Sequence, residues 1–161
     1  MTVDELRGVR LGIDWGRARI GVAACDSAGL LAYPVETISP AGDRALVLRR
    51  LTAIVTEYEP VVAYLGLPRH LKGGEGASAA MARGEGRWLA ACFPGLEVRV
   101  VDERMTTVTA TRQLHEAGRT ARSQRGVIDQ VAAVAILDHA LDAERHTGAR
   151  AGERIDGRTR Q

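Results

Sequence analysis

Three short apolar runs open the chain, at residues 9–14, 19–25 and about 30–38, the first two separated only by Trp15, Gly16, Arg17 and Ala18. Runs of this length bounded by turn-forming residues predict strands, and three in succession with short links predict an antiparallel meander. The next segment has a different period. In DRALVLRRLTAIVTEYE, Val47, Leu51, Ile54, Val55 and Tyr58 recur at helical spacing, an apolar stripe that Pro60 ends. PVVAYLGLP is a continuous apolar run between breakers, as expected of a strand covered on both faces. The spacing then predicts a helix between Ala77 and Phe93, a strand in LEVRVVDE, a helix in TTVTATRQLHEAG stopped by Gly118, and a last helix in QRGVIDQVAAVAILDHALDAE. The element order is βββαβαβαα. Three strands followed by alternating helices and strands do not make a purely parallel sheet, so a mixed five-stranded sheet with helices on both faces is expected.

This is the element order of ribonuclease-H-like folds, although other α/β folds share it. A chain of 161 residues holds one such domain, placed at residues 1–145. From about His146 the segment HTGARAGERIDGRTRQ is polar and nearly free of large apolar residues, and is expected to be a disordered tail over 146–161. The composition, 45% hydrophobic and 26% charged with net charge +2, is that of an ordinary globular protein. Cys25 and Cys92 show no CxxC spacing and read as buried small apolar residues rather than a zinc site or disulfide framework. No stretch approaches a membrane span, and MTVDELRGVR lacks the apolar run of a signal peptide. A cytoplasmic protein without membrane partners is expected.

Acidic side chains recur where the predicted strands end. Asp14 closes the first apolar run and precedes Trp15 and Gly16, the glycine allowing backbone to approach a ligand. On that segment alone a turn-capping aspartate is the simpler explanation. Asp102 and Glu103 end a second apolar strand, and open α/β sheets bind ligands just beyond such carboxyl ends. Successive strand residues point to opposite faces, so one of this pair at most shares a face with a given ligand; the sequence leaves open which. Asp129 stands in RGVIDQVAAVAIL among Val, Ile and Ala, where an ionised carboxylate needs a cation, a metal or a helix N-terminus to compensate it. Carboxylates from three segments bind hard cations such as Mg2+ or Mn2+, which polarise phosphoryl oxygens and generate hydroxide. Positive charge is carried mostly by Arg, whose planar fork suits phosphate; Arg17, Arg19, Arg104, Arg112, Arg119, Arg122 and Arg125 lie near these acids.

DWGRARIGVA, LGLPRHLKG, VVDERMTTVTA and RGVIDQVAAVAIL resemble, in order and spacing, the four motifs of the YqgF family. Its members are described as pre-16S ribosomal RNA nucleases and Holliday-junction-resolvase-like proteins of bacteria. The resemblance runs from Asp14 to Leu137 and implies a ribonuclease-H-like fold in which Asp14, Glu103 and Asp129 cluster as catalytic metal ligands. Arg17, Arg19, Arg104 and Arg125 would then hold the substrate backbone, with Gly16, His70, Asp102 and Thr106 as further candidates at the margin of the site. The chain departs from the pattern at His70, where the family often has Asn, and at Arg125, which stands for a frequent Lys. Related resolvases carry a second acid three residues after the last aspartate, and Ala132 stands there, which favours one metal over two.

The implied function is a metal-dependent nuclease maturing the 5′ end of pre-16S ribosomal RNA, with nucleic acid and the ribosome as partners. The alternatives are a Holliday junction resolvase, acting as a symmetric homodimer, and a ribosome-assembly factor that no longer cuts. RNA end trimming requires only a monomer. An actin-like ATPase or sugar kinase is disfavoured by the absence of a second phosphate loop and of a GxxxxGK[ST] run, and GxSxG is absent too. The Gly-rich stretch from Lys72 to Gly76 reads as a loop running into a helix. With aromatic residues at 4%, stacking of splayed bases would rest on Trp15 or Tyr33.

Overall fold

A computed structural model describes residues 3–68, 76–102 and 121–157, with the backbone alone for residues 3–4 and 121–129. After a 3-10 turn at Val3–Leu6, strands β1 (Arg10–Trp15), β2 (Ile20–Cys25) and β3 (Ala32–Ile38) form the expected antiparallel meander. The β1–β2 turn closes with the Gly16 amide donating to Arg19 O at 2.9 Å, and a Cβ on residue 16 would lie 2.9 Å from that same oxygen. The next turn is held by Asp26, whose carboxylate accepts from the Leu30 and Leu31 amides at 2.8 and 2.9 Å. Those amide donors hold its pKa below the ordinary aspartate value. Pro34 sits in β3, an edge strand, next to a bulge, where a missing N–H is tolerated.

Helix α1 (Arg44–Tyr58) starts where the Asp43 side chain accepts from the Leu46 amide at 3.1 Å and buries Val47, Leu51 and Ile54, three of the five stripe residues. It ends on Glu59 in the left-handed conformation, φ 47°, immediately before Pro60. Strand β4 (Val62–Leu67) is buried along its whole length and pairs in parallel with β1 and with β5 (Glu97–Asp102). Helix α2 (Ala77–Cys92) links them, and helix α3 (Ala121–Thr147) follows β5. The helix expected in TTVTATRQLHEAG lies outside the described residues. No helix among the described residues is long and apolar enough to cross a membrane.

The sheet separates two apolar layers, as expected of helices on both faces. Leu11, Ile13, Val98 and Val100 pack with Leu51, Ile54, Ala82 and Leu89 on the α1/α2 face. Ala23, Tyr64 and Val101 pack with Ala133, Ile136, Leu137 and Ala140 on the α3 face. Gly12 lies beneath α3, where a Cβ would meet Ala133 O at 2.5 Å and Leu137 Cβ at 2.7 Å, so only glycine lets the helix approach this closely.

Three expectations are corrected. The sheet has six strands rather than five, in the order β3-β2-β1-β4-β5-β6, and the sixth (Glu153–Ile155) comes from the segment expected to be disordered. It pairs antiparallel with β5, and Ile155 joins the core at 8% exposure. Polar partners rather than apolar mass order this segment. Arg99 donates to Ala151 O at 2.6 Å and to Gly152 O at 2.9 Å, and the Ala151 amide donates to the Tyr64 hydroxyl at 3.2 Å. Cys25 is buried as expected, whereas Cys92 is only partly so.

Candidate active site

The parallel strands β1, β4 and β5 end at one edge of the sheet, and the register sets which carboxylates share a face there. Gly12 faces α3, so Asp14, two residues on, faces α3 as well. Its partner across β2 is Gly21. On the other side, the register Ile13↔Leu65 continues to put Gly66 beside it, and Gly66 pairs with Val101. Asp14 is therefore half-buried, with glycines at the paired positions on either side of it. Asp102 has the opposite parity. Val101 packs on the α3 face, whereas Val98 and Val100 pack on the α1/α2 face, so Asp102 turns away from Asp14.

Helix α3 crosses this face against the direction of β1. Glu144 meets Arg10, and Leu137 and Ala133 meet Gly12. One helical turn before Ala133 is backbone position 129, and two residues after Gly12 is Asp14, both displaced toward the same edge. The helix segment before Ala133 thus runs toward the edge at which β1 ends. Arg17 is exposed at the β1–β2 turn and Arg19 partly so, beside this edge. Glu103, Arg104, Thr106 and His70 lie outside the described residues, as do the side chains of Arg125 and Asp129. Among the described residues no three His, Cys, Asp or Glu side chains gather as a metal site.

Back to back with Asp14, a second feature occupies the opposite face. A cleft of about 480 Å3 is lined by Trp15, Arg17, Ile20, Val47, Met81 and Glu85, among others. Trp15 packs edge-on against Trp88 with ring centroids 5.9 Å apart. The Arg44 guanidinium lies 4.5 Å over the Trp88 ring and donates to both Glu85 carboxylate oxygens, at 2.5 and 3.0 Å. The Arg44–Glu85 pair carries no signal in the sequence, because its members meet across 41 residues of chain.

At the far end of the sheet, Glu144 is 2% exposed and Arg10 is 4% exposed. Arg10 donates to Glu144 Oε1 through Nε at 3.2 Å and Nη2 at 2.7 Å, while Arg150 at 3.1 Å and the Tyr64 hydroxyl donate to Oε2. Burial first, and then the bond to Glu144, pushes the Tyr64 phenol well above its ordinary value. This network anchors the segment leading to β6 and is remote from Asp14.

A family model described as "RuvX: Holliday junction resolvase" matches residues 8–143. The chain belongs to the RuvX (YqgF) family. Within RuvX, a protein of Cutibacterium acnes named "Putative pre-16S rRNA nuclease" is 59% identical over 141 residues, 88% of this chain and 86% of the relative. One of the same name from Streptomyces avermitilis is 51% identical over 150 residues, 93% and 96% of the two chains. Among solved structures, T. thermophilus RuvC in complex with a Holliday junction substrate superposes with a TM-score of 0.57 at 22% identity, covering 89% of this chain and 98% of that one. At that identity the likeness bears on the fold alone, and it is the ribonuclease-H-like fold expected for a RuvX chain.

Proposed function

We propose that the chain is a divalent-metal-dependent nuclease that hydrolyses phosphodiester bonds of pre-16S ribosomal RNA, with Asp14, Glu103 and Asp129 at its centre. The observation that supports the reading is the place of Asp14 at the carboxyl end of β1, on the face of the sheet that α3 covers at Gly12. The turning away of Asp102 supports Glu103 as the acid of that pair. The relatives' name supplies the substrate.

Mg2+ or Mn2+ fits this donor set, since carboxylate oxygens are the ligands hard cations prefer. Asp14, Glu103 and Asp129 would hold the ion, which when bound supplies Lewis-acid polarisation of a phosphoryl oxygen and an activated water. With Ala132 where a further acid would stand, one ion is the simpler reading. Arg17 and Arg19 on the exposed turn, with Arg104 and Arg125, bind the phosphates flanking the scissile bond by bidentate hydrogen bonds and fix its direction across the strand ends. A cytoplasmic site of action, with the ribosomal precursor as partner, belongs to the same reading.

The family description favours a second reading, a resolvase of branched DNA. A resolvase acts as a symmetric dimer, whereas RNA trimming needs one protomer. A side-by-side cleavage assay with a pre-16S RNA fragment and a four-way DNA junction, each with Mg2+ or Mn2+, decides between them. Cleavage of the RNA and not the junction is expected. Cleavage of the junction alone would transfer the site to recombination, and cleavage of neither would leave a binding factor in ribosome assembly.

A further inference from the structure

We propose that the cleft beside Trp15 is a subsite that receives one unstacked nucleobase of the substrate strand, next to the scissile phosphate. The proposal rests on the nuclease reading of Asp14, because its location is what ties the two together. Asp14 and Trp15 are consecutive residues at the end of β1 and face opposite sides of the sheet. A strand crossing this edge over Asp14 can turn the neighbouring base around the edge and into the cleft.

The cleft has the make-up such a base needs. Its volume, about 480 Å3, suits a nucleotide-sized group. Ile20 and Val47 floor it, buried at 0% and 3% exposure, and Trp15 and Met81 wall it, giving apolar and aromatic surface for the faces of a base. Asp43 on the rim offers an acceptor to an exocyclic amino group, and Arg17 offers donors to a neighbouring phosphate. The walls are also fixed before any ligand arrives. Trp15 is braced by Trp88, Trp88 lies under Arg44, and Arg44 is gripped by Glu85. A braced aromatic wall loses little freedom when a base enters.

Trp15, which lines the cleft, and Trp88, which braces it, are the chain's two tryptophans, so intrinsic tryptophan fluorescence follows binding at this wall. The test titrates the full chain, in EDTA, with single-stranded RNA spanning the 5′ boundary of 16S, then with the same RNA carrying one abasic nucleotide at successive positions. Saturable quenching is expected, with one abasic position adjacent to the cleavage site weakening it on the order of tenfold, within what stacking of a single base contributes. Met81→Glu, which puts a charge into the wall, should weaken quenching by the intact RNA to a similar degree with an unchanged circular dichroism spectrum. If that variant does not fold, the abasic series on the unaltered chain decides. Abasic positions that all behave alike, Met81→Glu binding like the parent, or saturation by free mononucleotides at lower concentration than the strand would each overturn the subsite. Asp14→Asn separates this from the nuclease reading. A variant that no longer cuts, combined with a flat abasic series, sinks the subsite alone; a variant that still cuts sinks the catalytic reading whatever the quenching shows.

Discussion

Two guanidiniums and a phenol converge on the buried Glu144 carboxylate. Removing one member of such a buried set leaves the rest uncompensated, so Glu144→Ala should lower unfolding free energy by about 3–5 kcal/mol, read from the urea midpoint. The phenol makes a pH prediction as well. Tyr64 has its folded-state pKa raised, so the stability it contributes is complete below the unfolded value and is lost as pH rises through the folded one. The melting temperature should therefore fall once pH passes about 10, the ordinary tyrosine value. Tyr64→Phe should flatten that fall. None of this was legible in the sequence, where Glu144 reads as one more helix acid. Its partner Arg10 lies 134 residues away.

Among elements, α3 and the strand beneath it determine whether the acids can meet. The apolar stretch from Val131 to Leu141 announces a helix, but not that Gly12 sets how closely it lies on β1. Gly12→Ala should push α3 outward, lowering stability by about 1–3 kcal/mol by thermal or urea unfolding. Cleavage should fall more than that loss explains, since position 129 moves away from Asp14. Strands β1 to β5 and the two described helices between them were legible because each is a continuous apolar or amphipathic pattern between breakers. Strand β6 was not. Its only deeply buried side chain is Ile155, and its order comes from Arg99 and Tyr64 gripping the backbone before it. Hydropathy does not register that kind of support.

For the whole molecule, a net charge of +2 is too small to hold nucleic acid by itself, so the proposed binding would rest on locally placed arginines. Four phosphate contacts, by Arg17, Arg19, Arg104 and Arg125, imply a slope of about −3 in log affinity against log salt for a single-stranded RNA. Arg17→Ala should reduce its magnitude by about 0.7. The candidate site was legible as three acids in ordered motifs. Between Asp102 and Glu103 the residues alone left the choice open and only the resemblance implied Glu103, because a strand's parity is fixed only when a neighbouring layer shows which residues face it. The cleft beside Trp15 was hidden for a similar reason, since its walls come from β1, β2 and two helices.

The central claim, that Asp14 is a ligand of a catalytic metal, is tested most directly by Asp14→Asn in the RNA cleavage assay with Mg2+. The substitution preserves shape and removes the charge. Cleavage should drop on the order of 100-fold or more, as expected when a ligand is lost from a site where even outer partners matter by 10–100-fold, while the melting temperature stays within a few degrees. Undiminished cleavage by a folded Asp14→Asn protein would contradict the account.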